Sequence, residues 1–241
     1  LDPRVCLITG IGLDHTDLLG STIEEIAREK AHVARPGRPL ITTATEPALS
    51  AIRNHAEEIG ALFQAVDTPS PHRTSLQGTQ QPMNAALATE AARALGVDPG
   101  EDVLSSALAE AFLPGRIEHV GSRVILDVAH NPSALEELIK HLDQTGFHGV
   151  GVFGVLADKD YRSMVAMLKR VCTRLYIAPV RSERSWGQDE MEEFVEEGRV
   201  IRCGSVTEAL NDALSSGEKV VVTGSFYTVG EVRKSLVCSD S

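Results

Sequence analysis

From Val124 onward the chain alternates short apolar runs with helix-length stretches of mixed polarity. The runs are Val124–Leu126, Gly149–Phe153, Leu175–Ala178, Val200–Arg202 and Val220–Val222. Between and after them lie Ser133–Gln144, Tyr161–Cys172, Glu190–Glu197, Val206–Ser215 and Tyr227–Leu236. Strand and helix following one another at this spacing predict a parallel, doubly wound sheet, an α/β fold.

The front of the chain is less regular. Val5–Thr9 is β-branched-rich and ends at Gly10-Ile11-Gly12, which predicts a buried strand. Ser21 and Thr22 followed by Glu24 and Glu25 give overlapping capping boxes, so a helix is expected from Ile23 to about Val33, stopped by Pro36-Gly37. Leu40–Thr42 and Ala61–Val66 are the next expected strands, with a helix opened by Thr45-Glu46-Pro47 between them. Residues 67–80 read as loop, and helices are expected over Pro82–Leu95 and Asp102–Phe112. The Pro114-Gly115-Arg116 breaker is the expected domain boundary, giving domains of residues 1–113 and 114–241.

Composition narrows the function classes. With 241 residues, 42% hydrophobic and 24% charged, the chain can bury a substantial core. A net charge of −11 argues against a nucleic-acid surface, which needs clustered Lys and Arg. No apolar run approaches a membrane span and no signal-peptide pattern opens the chain. Cys6, Cys172, Cys203 and Cys238 are scattered, as free thiols of a reducing, cytoplasmic protein would be. The chain starts at Leu1, not Met, close to its first strand, and reads as a fragment or processed form.

Two sets of motifs carry the chemistry. Near the start, Gly12-Leu13-Asp14-His15-Thr16-Asp17-Leu18-Leu19-Gly20 runs on to Arg28-Glu29-Lys30-Ala31, and Gln81-Pro82-Met83-Asn84 opens an Ala-rich helix. Farther on, Pro114-Gly115-Arg116-Ile117-Glu118 precedes Asp127-Val128-Ala129-His130-Asn131-Pro132. Gly154–Asp160 and Thr223-Gly224-Ser225-Phe226-Tyr227 also follow strands and precede helices. Such loops lie at the carboxyl end of an open α/β sheet, where these folds bind ligands. A helix N-terminus with a hydroxyl and free amides, as at Ser225, is a natural anion site. By themselves the pieces have plain alternatives: His15 a structural histidine, Lys30 a solvated helix face, Asn84 an amide near a helix start, Arg116 a surface linker residue.

Together these segments resemble the Mur ligase superfamily of ATP-dependent amide-forming enzymes, and within it the folylpolyglutamate synthase and dihydrofolate synthase branch. The resemblance implies the back part of a central ATP-binding domain followed by a Rossmann-like C-terminal glutamate ligase domain. It implies a ligase of folate biosynthesis and one-carbon metabolism, using ATP as substrate and Mg²⁺, and joining L-glutamate to a folate or dihydropteroate. His15 would ligate the metal, with Lys30 carbamylated to help organise the same site. Asn84, Arg116 and Asp127 would contact ATP, while His130 and Ser225 would lie near the glutamate, with His130 as a candidate base. Lys30 and His130 are thus the expected catalytic residues. The phosphate-binding loop G-x-x-x-x-G-K-[ST] does not occur in the sequence, so little activity is expected of this chain alone. Gly10 replaces the Ser usual before this motif. The 41–80 segment is shorter than the family's. A peptidoglycan-type Mur ligase and a non-catalytic remnant that binds nucleotide or a partner remain open alternatives.

Overall fold

The computed structural model describes residues 2–13 and 19–237. His15 and its neighbours at 14–18 lie outside the described residues, as does Cys238. The chain divides into two compact units, Leu1–Ser75 with Thr79–Phe112, and Leu76–Gly78 with Leu113–Ser241.

In the first unit, β1 (Cys6–Ile8), β2 (Pro39–Thr42) and β3 (Leu62–Ala65) form a three-stranded parallel sheet in sequential order. Helices α1 (Ile23–Ala31) and α2 (Ala48–Ile59) make the crossovers and pack on each other. Their small buried residues Ala27, Ala31, Ala48 and Ala56 join Ile52 against Ile8 and Leu40. Of the two overlapping capping boxes, the one that forms pairs Thr22 with Glu25. The Thr22 hydroxyl accepts from the Glu25 amide at 3.2 Å, and the Glu25 carboxylate accepts from the Thr22 amide, also at 3.2 Å. The carboxylate also accepts from the Ser21 amide at 2.7 Å, and this bond, followed by the one from the Thr22 amide, holds the Glu25 carboxyl below its usual value. Pro47 sits at the N-cap of α2 instead of inside its first turn. Helix α3 (Gln81–Ala94) touches β2, and α4 (Glu101–Glu110) has no buried residue.

In the second unit the six-stranded sheet has the order β4-β5-β9-β6-β7-β8. Its strands are β4 (Glu118–Val120), β5 (Val124–Leu126), β6 (Gly149–Phe153), β7 (Leu175–Ile177), β8 (Val200–Arg202) and β9 (Lys219–Thr223). All neighbours pair in parallel except β4, which is antiparallel to β5. Successive strand residues point to opposite faces, and that splits each apolar run between two cores. Ile125, Phe153, Leu175, Ile177 and Val221 face α5 (Pro132–Gln144) and α6 (Tyr161–Val171). Val124, Leu126, Val150, Val152, Tyr176, Val220 and Val222 face α8 (Val206–Ser215) and α9 (Phe226–Val237). Leu135, Leu138 and Leu142 recur at helical spacing on α5 and are almost fully buried. Each contributes roughly 1.5–3 kcal/mol by burial.

The stretch expected as a helix over 190–197 is only a short α7 (Gln188–Glu192) followed by a turn. It is held by Trp186, which is 1% exposed, packs edge-on to Phe153 and donates to the Ala178 carbonyl at 2.9 Å. Cys6, Cys172 and Cys203 are buried free thiols, and burial pushes the latter two up to about 12. No described helix is long and apolar enough to cross a membrane.

One polar group in this core has no partner among the described residues. His141, in the last turn of α5, is 7% exposed and its Nε2 makes no hydrogen bond. Burial, with the neighbouring His119, holds its pKa below the ordinary histidine value. The unfolded chain therefore binds more protons just below pH ~6.5, and the native state loses stability as pH falls through that point towards the depressed native pKa. His141→Leu is expected to cut the fall in Tm between pH 7.5 and pH 5 by roughly 2–4 °C. Equal acid sensitivity in the two proteins by thermal scanning would refute this.

Candidate active site

At the carboxyl edge of the larger sheet, the segments after β5, β6 and β9 are laced together by main-chain bonds. The Gly224 amide donates to Ala129 O at 3.0 Å, and the Thr223 hydroxyl reaches the same carbonyl at 3.3 Å. The Gly154 amide donates to Thr223 O at 3.3 Å. Thr228 Oγ1, from the first turn of α9, donates to Gly154 O at 2.7 Å. Gly224 has φ +112°, and a Cβ there would lie 2.5 Å from Gly154 O and 2.8 Å from the Phe153 ring. Only glycine permits that approach.

The Asp127–Pro132 segment divides into structural and exposed parts. Asp127 is 7% exposed, and its carboxylate accepts from the Ile117 and Ala129 amides, each at 2.9 Å. Burial raises its carboxyl above the usual aspartate range, opposed by those two amides and by the nearby Arg116 and His130. Asn131 caps α5, accepting from the Ala134 amide at 2.8 Å, and Pro132 follows where no amide donor is needed. His130 is half-buried, with Nδ1 3.0 Å from Val128 O and its ring 5.7 Å from the exposed Phe226. A carbonyl only accepts, so Nδ1 carries the proton and Nε2 bears the lone pair in the neutral ring.

Arg116 emerges from a pinned loop. Gly115 has φ +68°, and its missing Cβ would meet Val128 and Val229 at 2.8 and 3.0 Å. Ile117 adopts φ +47°, a strained value for a β-branched residue. The Arg116 guanidinium is half-buried beside Asp127 and donates no hydrogen bond among the described residues. Ser225, 3% exposed, uses its hydroxyl internally. It accepts from the Thr228 amide at 3.1 Å and shares a 2.8 Å bond with the Thr228 hydroxyl.

In the first unit, Asn84 Nδ2 donates to Gln81 Oε1 at 3.2 Å, and neither side chain caps α3. Lys30 is exposed in the last turn of α1. His15, the other half of the expected metal pair, lies outside the described residues. Among the described residues no three His, Cys, Asp or Glu side chains are arranged to hold a metal ion. A cavity of about 370 Å³ lies at the end of β3, but none of the candidate residues lines it. Its polar walls pair with each other, Gln64 and Arg93 with Glu90, and His72 with Glu101.

Sequence reasoning missed three residues of the second unit. The buried Glu118 pairs with the half-buried Arg233 behind Arg116, and Lys159, in the loop after β6, has a side chain only 9% exposed. Lys159 was legible as part of the Gly154–Asp160 segment. The partnership of Glu118 with a residue far along the chain was not.

A doubly wound sheet whose carboxyl-edge loops present an arginine, a histidine and a helix N-terminus defines an α/β ligand-binding domain. Residues 115–226 match the Mur ligase, glutamate ligase domain family. Over 96% of its length the chain is similar to the dihydrofolate synthase/folylpolyglutamate synthase of Escherichia coli, at 35% identity, and spans 60% of that protein. E. coli FolC, solved in complex with DHPP and ADP, superposes with a TM-score of 0.85 at 34% identity, covering 100% of this chain and 63% of FolC. A bifunctional folylpolyglutamate synthase/dihydrofolate synthase solved with Mn, AMPPNP and L-glutamate bound gives 0.83 at 31% identity, covering 98% and 63%.

Proposed function

We propose that this chain carries the glutamate-joining part of a cytoplasmic, ATP-dependent ligase. It couples L-glutamate to a folate or dihydropteroate carboxylate through an acyl phosphate. Residues 1–113 serve as the back of a central ATP-binding domain and 114–241 as the glutamate ligase domain. The observation that carries this reading is likeness along nearly the whole chain to enzymes of that name.

In the proposed reaction ATP phosphorylates the acceptor carboxylate. The glutamate amine attacks the resulting carbonyl, and the C–O bond to phosphate breaks as the amide forms. Arg116 suits an anionic phosphate because its planar guanidinium donates in a bidentate way. Asn84 also contacts the nucleotide. Asp127 acts on the nucleotide through the loop it holds. The attacking amine must be neutral, and His130 Nε2 takes its proton. The Ser225 hydroxyl is already engaged, so the glutamate carboxylate is held by main-chain amides at the start of α9. Mg²⁺ would neutralise phosphate charge, with His15 and a carbamylated Lys30 as the expected donors. The described residues supply no complete donor set, so no step is assigned to the metal.

Amide chemical shifts of the full chain, titrated with amino acids, test the reading. L-Glutamate is expected to move the signals of residues 128–131 and 223–227, and D-glutamate, L-alanine and diaminopimelate are not. A response to one of the latter instead would favour a peptidoglycan-type ligase, and no response to any would favour a non-catalytic role.

A further inference from the structure

Glu118 follows Arg116 by two residues and is 8% exposed. Its Oε2 accepts from the Gly115 amide at 2.8 Å. Both of its carboxylate oxygens accept from Nε of Arg233, on α9, at 2.9 and 3.0 Å. On the other side of Arg116, the Ile117 amide is held by Asp127 at 2.9 Å. The amides of the residues on either side of Arg116 are thus held by two buried carboxylates, one of them paired with a cation from the last helix.

We infer that Arg233 is a positioning residue for Arg116, acting through Glu118 to hold the Gly115–Ile117 backbone in the conformation that presents the guanidinium. A carboxylate this deeply buried is tolerated only while it is paired. Without Arg233, Glu118 turns towards water and releases the Gly115 amide. The strained Ile117 then relaxes out of its left-handed conformation and redirects Arg116. Arginine suits the position because its Nε–H, fixed in the guanidinium plane, is shared between both oxygens, whereas an ammonium is a point charge on a flexible stem. The inference rests on the reading of Arg116 as a phosphate contact, and its test keeps the two apart.

Amide hydrogen exchange and MgADP titration followed by NMR would be measured on the full chain for wild type, R233M, R233K and R116Q. R233M is expected to exchange ~10-fold faster at Gly115 and Ile117, the loss of about one ordinary hydrogen bond. Val152 and Tyr176, in the sheet interior, should be unchanged. MgADP affinity should fall ~10-fold in both R233M and R116Q, with R233K recovering part of the loss. Unchanged protection at Gly115 and Ile117 in R233M would overturn the inference whatever the nucleotide does. Unchanged MgADP affinity in R116Q would overturn the phosphate reading of Arg116 alone, and the exchange arm would still decide the role of Arg233. If R233M fails to fold, E118M/R233M removes the buried charge together with its partner and is expected to fold. Its Gly115 amide should then exchange faster, and retained protection there would again refute the inference.

Discussion

Gly224→Ala is expected to destabilise the second unit by roughly 2–5 kcal/mol. The positive φ contributes about 1–2 kcal/mol of that, and forcing a methyl against main chain about 1–3 kcal/mol. The clash falls on Gly154 O and the Phe153 ring, the first a backbone atom that cannot rotate away. With a urea m-value of about 2 kcal/mol/M, the midpoint should drop by about 1–2.5 M. Gly230→Ala is the matched control. It lies in α9 with nothing within 4 Å of its missing Cβ, and should be neutral or stabilising by about 0.5–1 kcal/mol. Equal midpoints for the two variants would mean that the loops after β6 and β9 do not approach as described.

Asp127→Ala carries the second large effect. It leaves the Ile117 and Ala129 amides without an acceptor, at about 1–3 kcal/mol each, and gains back part of the cost of burying a carboxylate. A net loss of roughly 2–4 kcal/mol is expected. Asn, which keeps one acceptor oxygen, should fall between wild type and Ala. The pH dependence has a definite sign. The native carboxyl is raised, so its contribution is fully present below the unfolded value and is lost as pH rises through the native one. The gap between wild type and Asp127→Ala should therefore widen as pH is lowered into the aspartate range. Urea midpoints measured across that range would settle it, and a gap that narrows on acidification would show that the carboxylate is held mainly by its charge.

The β5, β6, β7 and β9 segments could be read from the chain because strands buried on both faces are apolar throughout. Strand β4 could not, since Glu118-His119-Val120 has no apolar run and is a strand only through pairing with β5. The 190–197 helix was overextended because its charged residues suit a helix, while Trp186 and its aromatic neighbours decide where the chain actually runs. In the candidate site, the placement of the Asp127–Pro132 and Thr223–Tyr227 segments at strand ends followed from the alternation alone. What each polar group does there did not. Asp127, Asn131 and Ser225 all spend their oxygens on main-chain or neighbouring donors, and which donors come within reach depends on loop conformation. His15 lies outside the described residues, and Lys30 is exposed in the last turn of α1.

The chain has a single tryptophan, Trp186, seated edge-on against Phe153 where β6 gives way to the loop bonded to Thr223 and Thr228. Its indole therefore looks inward at the core and stands within one residue layer of the loops that would meet a ligand. Intrinsic emission from this protein is a built-in gauge of both at once. A disturbance confined to the sheet edge and a melting of the whole unit would register on the same chromophore, and only a second probe away from Phe153 could tell them apart.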